Sequence, residues 1–386
     1  MDKPFPTLIG DYGPWAGSLV KRVPALSFRN DRFSDVEAWK NEALAKVKEL
    51  LYMPDLGPLP KVTVQKRYAY DGLDMEEISW QLPNGRPTNA LVIKPSVARE
   101  KLPGLLALHD HAAIKYFGKE KITQTSGTQH PVVEAHQQSD YGGLAWANEV
   151  ARRGYVVLVH DVFAFGSRRV QYKDMLPVED SFLDTKEKEE LPATIENIRA
   201  YNEWAGHHEH VMAKSLFCAG TTWPGVFLAE DKMALDILAA REDVDADRLG
   251  CGGLSGGGLR TVMLGGTDDR IKCAVSAGFM STWDDFLLYK SITHTWMLYI
   301  PGLPNFLDFP EIFGLRVPLP SMVLNNNEDP LYTLPEMKKA DSILRDIYRK
   351  AGAEDRYNCR YYPGPHKMDG EMQQDAFDWF DQWLKA

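Results

Sequence analysis

Gly253-Leu254-Ser255-Gly256-Gly257 is the segment of this chain with the clearest chemical content. It follows a short apolar run at 249–251 and precedes a helical run at 259–264, so it reads as strand, sharp turn and helix, with a serine at the apex. That is the pattern of a nucleophile elbow. Larger side chains at Gly253 and Gly257 would collide with the neighbouring strand and helix. The hydroxyl is pushed out over the sheet edge, and the first amides of the next helix point at whatever it attacks. The chemistry this suits is attack on a carbonyl carbon.

A serine hydroxyl needs a base, and the base needs an orienting acid. Where such an elbow is used, acid and histidine follow it in chain order. Residues 318–324 (PLPSMVL) form a buried strand pattern that runs into Asn325-Asn326-Asn327-Glu328-Asp329-Pro330. Asp329 is the candidate acid, because Pro330 fixes the turn after it and a short carboxylate is more easily held against an imidazole. Glu328 is the fallback. An alternating strand at 356–362 then ends in Pro363-Gly364-Pro365-His366, and of ten histidines only His366 follows Asp329.

Other reactive side chains have blander readings. His207, His208 and His210, with Glu209, invite a metal reading, but there is no H-E-x-x-H and no third ligand in view, so a solvated helix face is expected. Asp161, at a strand end, is expected to pair with Arg168 or Arg169. His109 and His160 stand beside strand ends as structural hydrogen-bonders. Residues 220–225 lack the Lys-Ser/Thr ending of a phosphate loop. A dinucleotide reading of 252–258 would leave Ser255, Asp329 and His366 unexplained.

These motifs resemble the α/β-hydrolases, and within them the dienelactone-hydrolase-like and acetyl-xylan-esterase-like branch. Residues 103–111 (PGLLALHDH) resemble the strand that ends in a His-Gly-x oxyanion turn. Residues 154–161 (GYVVLVHD), with 162–168 after them, are similar to the next strand. Residues 220–225 resemble the segment before the helix leading to the elbow, and together these stretches cover about residues 60–386. The resemblance implies an α/β fold with a mostly parallel central sheet flanked by helices. It implies an esterase acting on a small or medium acyl group through Ser255, His366 and Asp329. The backbone N–H groups of Gly256 and His111 are the implied oxyanion donors. Asp110 stands where the branch has glycine. No metal or organic cofactor is required. A peptidase or amidase, a hydroxynitrile lyase, and a non-catalytic binding protein on the same fold are the competing readings.

Composition agrees with a globular enzyme: 386 residues, 44% hydrophobic, 25% charged, net charge −10. Nucleic acid and anionic membranes are poor partners for that charge. No apolar run approaches the ~20 residues of a membrane span, and no basic-then-apolar leader opens the chain. Cys218, Cys251, Cys273 and Cys359 lack metal-type spacing and read as thiols of a cytoplasmic protein. A small ester is the expected partner, and a homo-oligomer is compatible with the sequence.

The elements that must position these residues are also visible. Residues 1–60 form an aromatic, proline-dotted arm with one helix at 35–52, and 61–386 form the hydrolase domain. Residues 61–93 read as antiparallel strands with Pro83-Asn84-Gly85 as a hairpin turn. From residue 103, strands and helices alternate, which implies a parallel sheet, and a last helix is expected at 371–384. Two cap-like insertions interrupt it. The first, about 167–222, carries a charged stretch at 184–190 and a helix at 194–217. The second, about 279–315, is rich in aromatic residues. Trp223, Trp283 and Trp296 are the expected substrate-binding side chains.

Overall fold

The computed structural model describes residues 6–97, 100–176 and 192–385; the charged stretch at 184–190 lies outside them. Residues 63–95 form three antiparallel strands, β1 (Thr63–Tyr70), β2 (Leu73–Trp80) and β3 (Thr88–Pro95). Asp71 and Gly72 join the first pair with φ of 51° and 77°, the two-residue turn whose twist matches that of the strands. The Pro83-Asn84-Gly85 turn lies in the connection between β2 and β3.

Six further strands follow: β4 (Leu102–Ala107), β5 (Val156–His160), β6 (Val244–Leu254), β7 (Ile271–Ala277), β8 (Ser321–Asn326) and β9 (Tyr357–Tyr362). They extend one sheet in the order β1-β2-β3-β5-β4-β6-β7-β8-β9. Pairing is antiparallel as far as β3–β5 and parallel from β5 to β9. Every residue of β5 and β8 is buried. Parallel strands covered on both faces need such continuous apolar runs, not alternation.

The helices α1 (Gly13–Leu19) and α2 (Val36–Leu51) belong to the N-terminal arm. Asp35 caps α2 by accepting the Ala38 N–H at 2.7 Å, and its Trp39, Ala43, Val47 and Leu51 enter the main core. α3 (Pro131–Asp140) and α4 (Trp146–Arg152) follow β4, and α5 (Ile195–Cys218) and α6 (Trp223–Ala239) follow β5. α7 (Gly256–Thr267) starts at the elbow; α8 (Trp283–Leu288) and α9 (Phe309–Gly314) lie in the second insertion. α10 (Leu334–Lys350) and α11 (Gly370–Leu384) complete the chain. α2, α6, α7, α9 and α10 cover one face of the sheet, and α4 and α11 the other. Among the described residues no helix is long and apolar enough to cross a membrane.

The second insertion is less of a lid than its aromatic content suggests. Phe279, Phe286, Phe309 and Phe313 are buried. The arm is tied to it by Leu8 N–H to Leu288 O at 2.9 Å and Leu26 N–H to Phe306 O at 2.8 Å.

Candidate active site

Ser255 stands between β6 and α7 with φ 58° and ψ −120°, a conformation that costs energy in any residue with a Cβ. Its own N–H is bound to Ala277 O at 2.9 Å, and its carbonyl accepts from Leu259 N–H at 2.9 Å. The neighbouring glycines leave no room for alternatives. A Cβ at Gly253 would lie 2.2 Å from Leu108 O, and one at Gly257 would lie 2.1 Å from the same oxygen. The turn is therefore wedged against the end of β4.

Asp329 follows β8 and His366 follows β9, so parallel pairing of these strands brings the two loops together. Asp329 Oδ2 lies 2.6 Å from His366 Nδ1, with the carboxylate fully buried and the imidazole 16% exposed. The other carboxylate oxygen accepts the Leu331 N–H at 2.9 Å. Glu328 turns elsewhere and accepts the Gly364 N–H at 2.5 Å. His366 Nε2 is buried and finds no hydrogen-bond partner among the described residues. Ser255 and His366 flank the same end of β7: the serine N–H binds Ala277, and the imidazole packs on Gly278. No Ser255–His366 hydrogen bond is formed, and such bonds are often loose before substrate arrives.

The turn after β4 faces α7. A Cβ at Gly256 would meet the His111 nitrogen at 2.9 Å, so the two candidate donors lie on adjoining backbone. Asp110 has an evident structural task. Its Oδ1 accepts from Tyr141 OH at 2.6 Å and from His136 Nε2 at 3.1 Å, and Lys121 Nζ stands 3.4 Å from Oδ2. Lys121 also donates to the carbonyls of Asp110, His111 and Ile114, which staples the turn from below. Burial alone would raise the Asp110 pKa, but His136 and Lys121 outweigh it and hold the carboxyl well below its usual range. An ionised carboxylate among three donors replaces the conformational freedom of glycine with fixed bonds.

His111 Nε2 is 2.6 Å from Glu209 Oε1, and its Nδ1 accepts the Ala113 N–H at 2.9 Å. Glu209, on α5, is thus engaged with the turn and not with its neighbours in sequence. His208 stacks on Trp204 at 5.0 Å. Among the described residues no three His, Cys, Asp or Glu side chains are grouped to hold a metal ion.

Three expectations need correction. The stretch at 207–210 is not the solvated helix face expected, since His208 and Glu209 are buried. Asp161 pairs with Lys119 at 3.1 Å and accepts the N–H groups of Lys119 and Ser167; it does not pair with Arg168 or Arg169. Arg168 instead meets Glu230 Oε1 at 2.5 Å and Asn84 O at 2.8 Å. Trp223 and Trp283 are core residues, 1% and 4% exposed, and their indole N–H groups are bound to Phe163 O and Leu307 O. Only Trp296 is open, at 39%. With Trp283, Phe217 and Tyr299 it lines an apolar hollow of about 270 Å³ whose walls do not include Ser255, Asp329 or His366.

His109 and His160 serve as hydrogen-bonders in the interior. His109 Nδ1 lies 2.9 Å from Asp110 O, and His160 Nε2 lies 3.0 Å from Asp231, which also holds Arg260. Three histidines were not singled out by sequence, His130, His136 and His294. His294 bonds Leu331 O at 2.9 Å and so braces the loop carrying Asp329. Burial pushes its pKa down to about 4, keeping it neutral. Nothing in the local sequence signals that contact, since its partner lies in another loop.

The comparisons agree with this architecture. Residues 225–316, which contain Ser255 but neither Asp329 nor His366, match the family described as "Prolyl oligopeptidase family". "Putative hydrolase YtaP" of Bacillus subtilis strain 168 is 24% identical over 336 residues, covering 86% of this chain and 95% of its own length. The structure named as a putative acetyl xylan esterase from Bacteroides fragilis superposes with a TM-score of 0.67 at 15% identity, covering 94% of this chain and 84% of its own. The glucuronoyl esterase from Solibacter usitatus gives a TM-score of 0.58 at 13% identity, covering 94% and 96%. The chain has the α/β-hydrolase fold.

Proposed function

We propose that this chain is a serine hydrolase of carboxylic esters with small or medium acyl groups, acetyl among them. The observation that carries the reading is the 2.6 Å contact between Asp329 Oδ2 and His366 Nδ1, with the other ring nitrogen finding no hydrogen-bond partner among the described residues and a strained serine at the same end of β7. In this reading Ser255 Oγ attacks the ester carbonyl while its proton passes to His366 Nε2. Asp329 holds the ring in the tautomer with its proton on Nδ1 and stabilises the cation that forms. The oxyanion is met by the N–H groups of Gly256 and His111. The proton on Nε2 then goes to the departing alcohol. Water, deprotonated by the same nitrogen, releases the acid and restores the serine.

The likeness in fold to proteins named as esterases supports an ester substrate, and the prolyl oligopeptidase match favours a second reading as a peptidase. All four cysteines are free thiols, which supports a cytoplasmic setting. The test uses the purified chain. Nitrophenyl esters of graded acyl length, acetylated sugars and a peptide anilide are compared, and the site is titrated with a fluorophosphonate. Ester turnover with one label per chain is expected. Ser255→Ala should lose the label and about 10⁶-fold of turnover. Anilide cleavage that outpaces every ester would establish the peptidase reading. Near-normal ester turnover by Ser255→Ala would overturn the mechanism.

A further inference from the structure

The Glu209 carboxylate binds groups that lie far from it in sequence. Its Oε1 is 2.6 Å from His111 Nε2 and 2.7 Å from Lys115 Nζ. Its Oε2 accepts from Thr295 Oγ1 at 2.7 Å and from the Trp296 N–H at 3.1 Å. Four donors surround one carboxylate that is 7% exposed. Two come from the segment after β4, and two from the second insertion. Burial would raise the Glu209 pKa, but Lys115 and His111 outweigh it and hold the acid well below its usual range. An acceptor-only group is the one carboxyl form that satisfies four donors. Because His111 Nδ1 accepts the Ala113 N–H, its proton is assigned to Nε2, aimed at Glu209. Burial and Lys115 keep that ring neutral.

We propose that Glu209 is a positioning residue for ester hydrolysis, resting on the reading of Ser255 as nucleophile. By gripping the His111 ring it fixes the His111 backbone N–H against Gly256. By gripping Thr295 and Trp296 it ties that donor to the insertion that also braces the Asp329 loop. The ring itself does no proton transfer. A displacement of the turn would open the gap between the two N–H donors, and that loss falls on the transition state, where the oxyanion exists.

The test is Glu209→Gln, with turnover expressed per fluorophosphonate-labelled site. Whichever way the amide sits, its NH₂ faces two donors. Expected is a fall in kcat of about 10- to 100-fold with KM within about threefold, the signature of an interaction made in the transition state. Thr295→Val removes one bond and leaves the partner of Lys115 in place, so it guards against misfolding. It should lower kcat by about three- to fivefold. His111→Phe keeps the backbone N–H but loses the Glu209 bond. Combined with Glu209→Gln it should cost no more than the worse single variant, because both act through one contact. A lower melting temperature with unchanged kcat per labelled site, or losses that multiply in the double variant, would overturn the proposal. Failure of the underlying reading looks different: the wild-type chain would take no label, and Ser255→Ala would keep its turnover.

Discussion

Gly278 and His366 meet across a gap that admits no Cβ. One built at Gly278 would lie 2.8 Å from His366 Cε1 and 3.2 Å from Nδ1. Gly278 has φ +56° and is pinned on both sides, its N–H to Leu324 O and its carbonyl to Tyr332 OH, each at 2.8 Å. The backbone cannot retreat, so the imidazole would have to. Gly278→Ala is therefore expected to displace His366 and lower kcat by about 10²-fold. Left-handed backbone adds a stability cost of roughly 1–2 kcal/mol. Ester kinetics alongside thermal melts check both effects. Unchanged kcat would show that the ring is not held by this contact.

Asp329 and Glu328 are adjacent, yet their side chains have separate partners. If Asp329 orients the base, Asp329→Asn should reduce turnover by about 10⁴-fold while the fold survives, because an amide favours the wrong imidazole tautomer. Glu328→Gln keeps an oxygen for the Gly364 N–H and should leave kcat within about twofold. Equal losses in the two variants would contradict the assignment.

The residues whose adjacency was legible in sequence sit at the ends of parallel strands. Ser255, Asp329 and His366 follow β6, β8 and β9, where fold topology collects loops at one sheet edge. Glu209 was not legible: its partners lie 98 and 86 residues away, and its polar, histidine-rich stretch reads as a solvated helix face. The Asp161–Lys119 pair was hidden for a related reason. The arginines at 168 and 169 are nearer in sequence, but the carbonyl of Asn84 and the Glu230 carboxylate claim Arg168. Asp71-Gly72 is a standard hairpin signal that the proline turn at 83–85 overshadows in the sequence. β7 (Ile271–Ala277) carries Lys272 and Ser276 within its apolar run, which weakens its strand pattern even though Asp268-Asp269 and Gly278 flank it.

His136 ties stability to pH. Its Nε2 is 3.1 Å from Asp110 Oδ1 and its Nδ1 is 3.2 Å from Asp140 Oδ2; Lys121 and Tyr141 also face Asp110. Burial lowers its pKa, but the two carboxylates outweigh that and raise it from 6.5 to about 9. The unfolded chain loses this proton first, so the contribution is full below pH 6.5 and is lost as pH rises through 9. At about 1.4 kcal/mol per unit it amounts to about 3 kcal/mol. Asp110 works on the acid side, since its lowered pKa gives stability that is lost as pH falls. Melts of wild type between pH 6.5 and 9 should decline, and His136→Gln should melt lower at pH 6 with a flatter slope. Identical slopes would mean that His136 is not protonated in the folded chain.

Trp283 and Trp296 lie in one insertion but differ in burial. Trp283 packs edge-on against Phe286 and Phe309, at 5.9 Å and 5.3 Å between ring centroids, with its N–H bound to Leu307 O. Trp283→Ala opens a void that its neighbours cannot fill, at a cost of about 3–5 kcal/mol. Its melting temperature should fall sharply; because Trp283 also backs the hollow, any change in ester ranking should come together with that loss of stability. Trp296 presents one side to solvent and another to the apolar hollow, while its backbone N–H, which any substitution retains, binds Glu209. Trp296→Ala should therefore cost little stability, about 1 kcal/mol. If the apolar part of the substrate reaches this hollow, the variant loses rate on long acyl esters more than on acetyl esters, by about 10-fold. Thermal melts and relative kcat/KM across the acyl series distinguish the two residues. An unchanged ranking in both variants would show that the hollow lies outside the substrate's reach, whereas a ranking changed in both would show that the hollow takes part of the substrate.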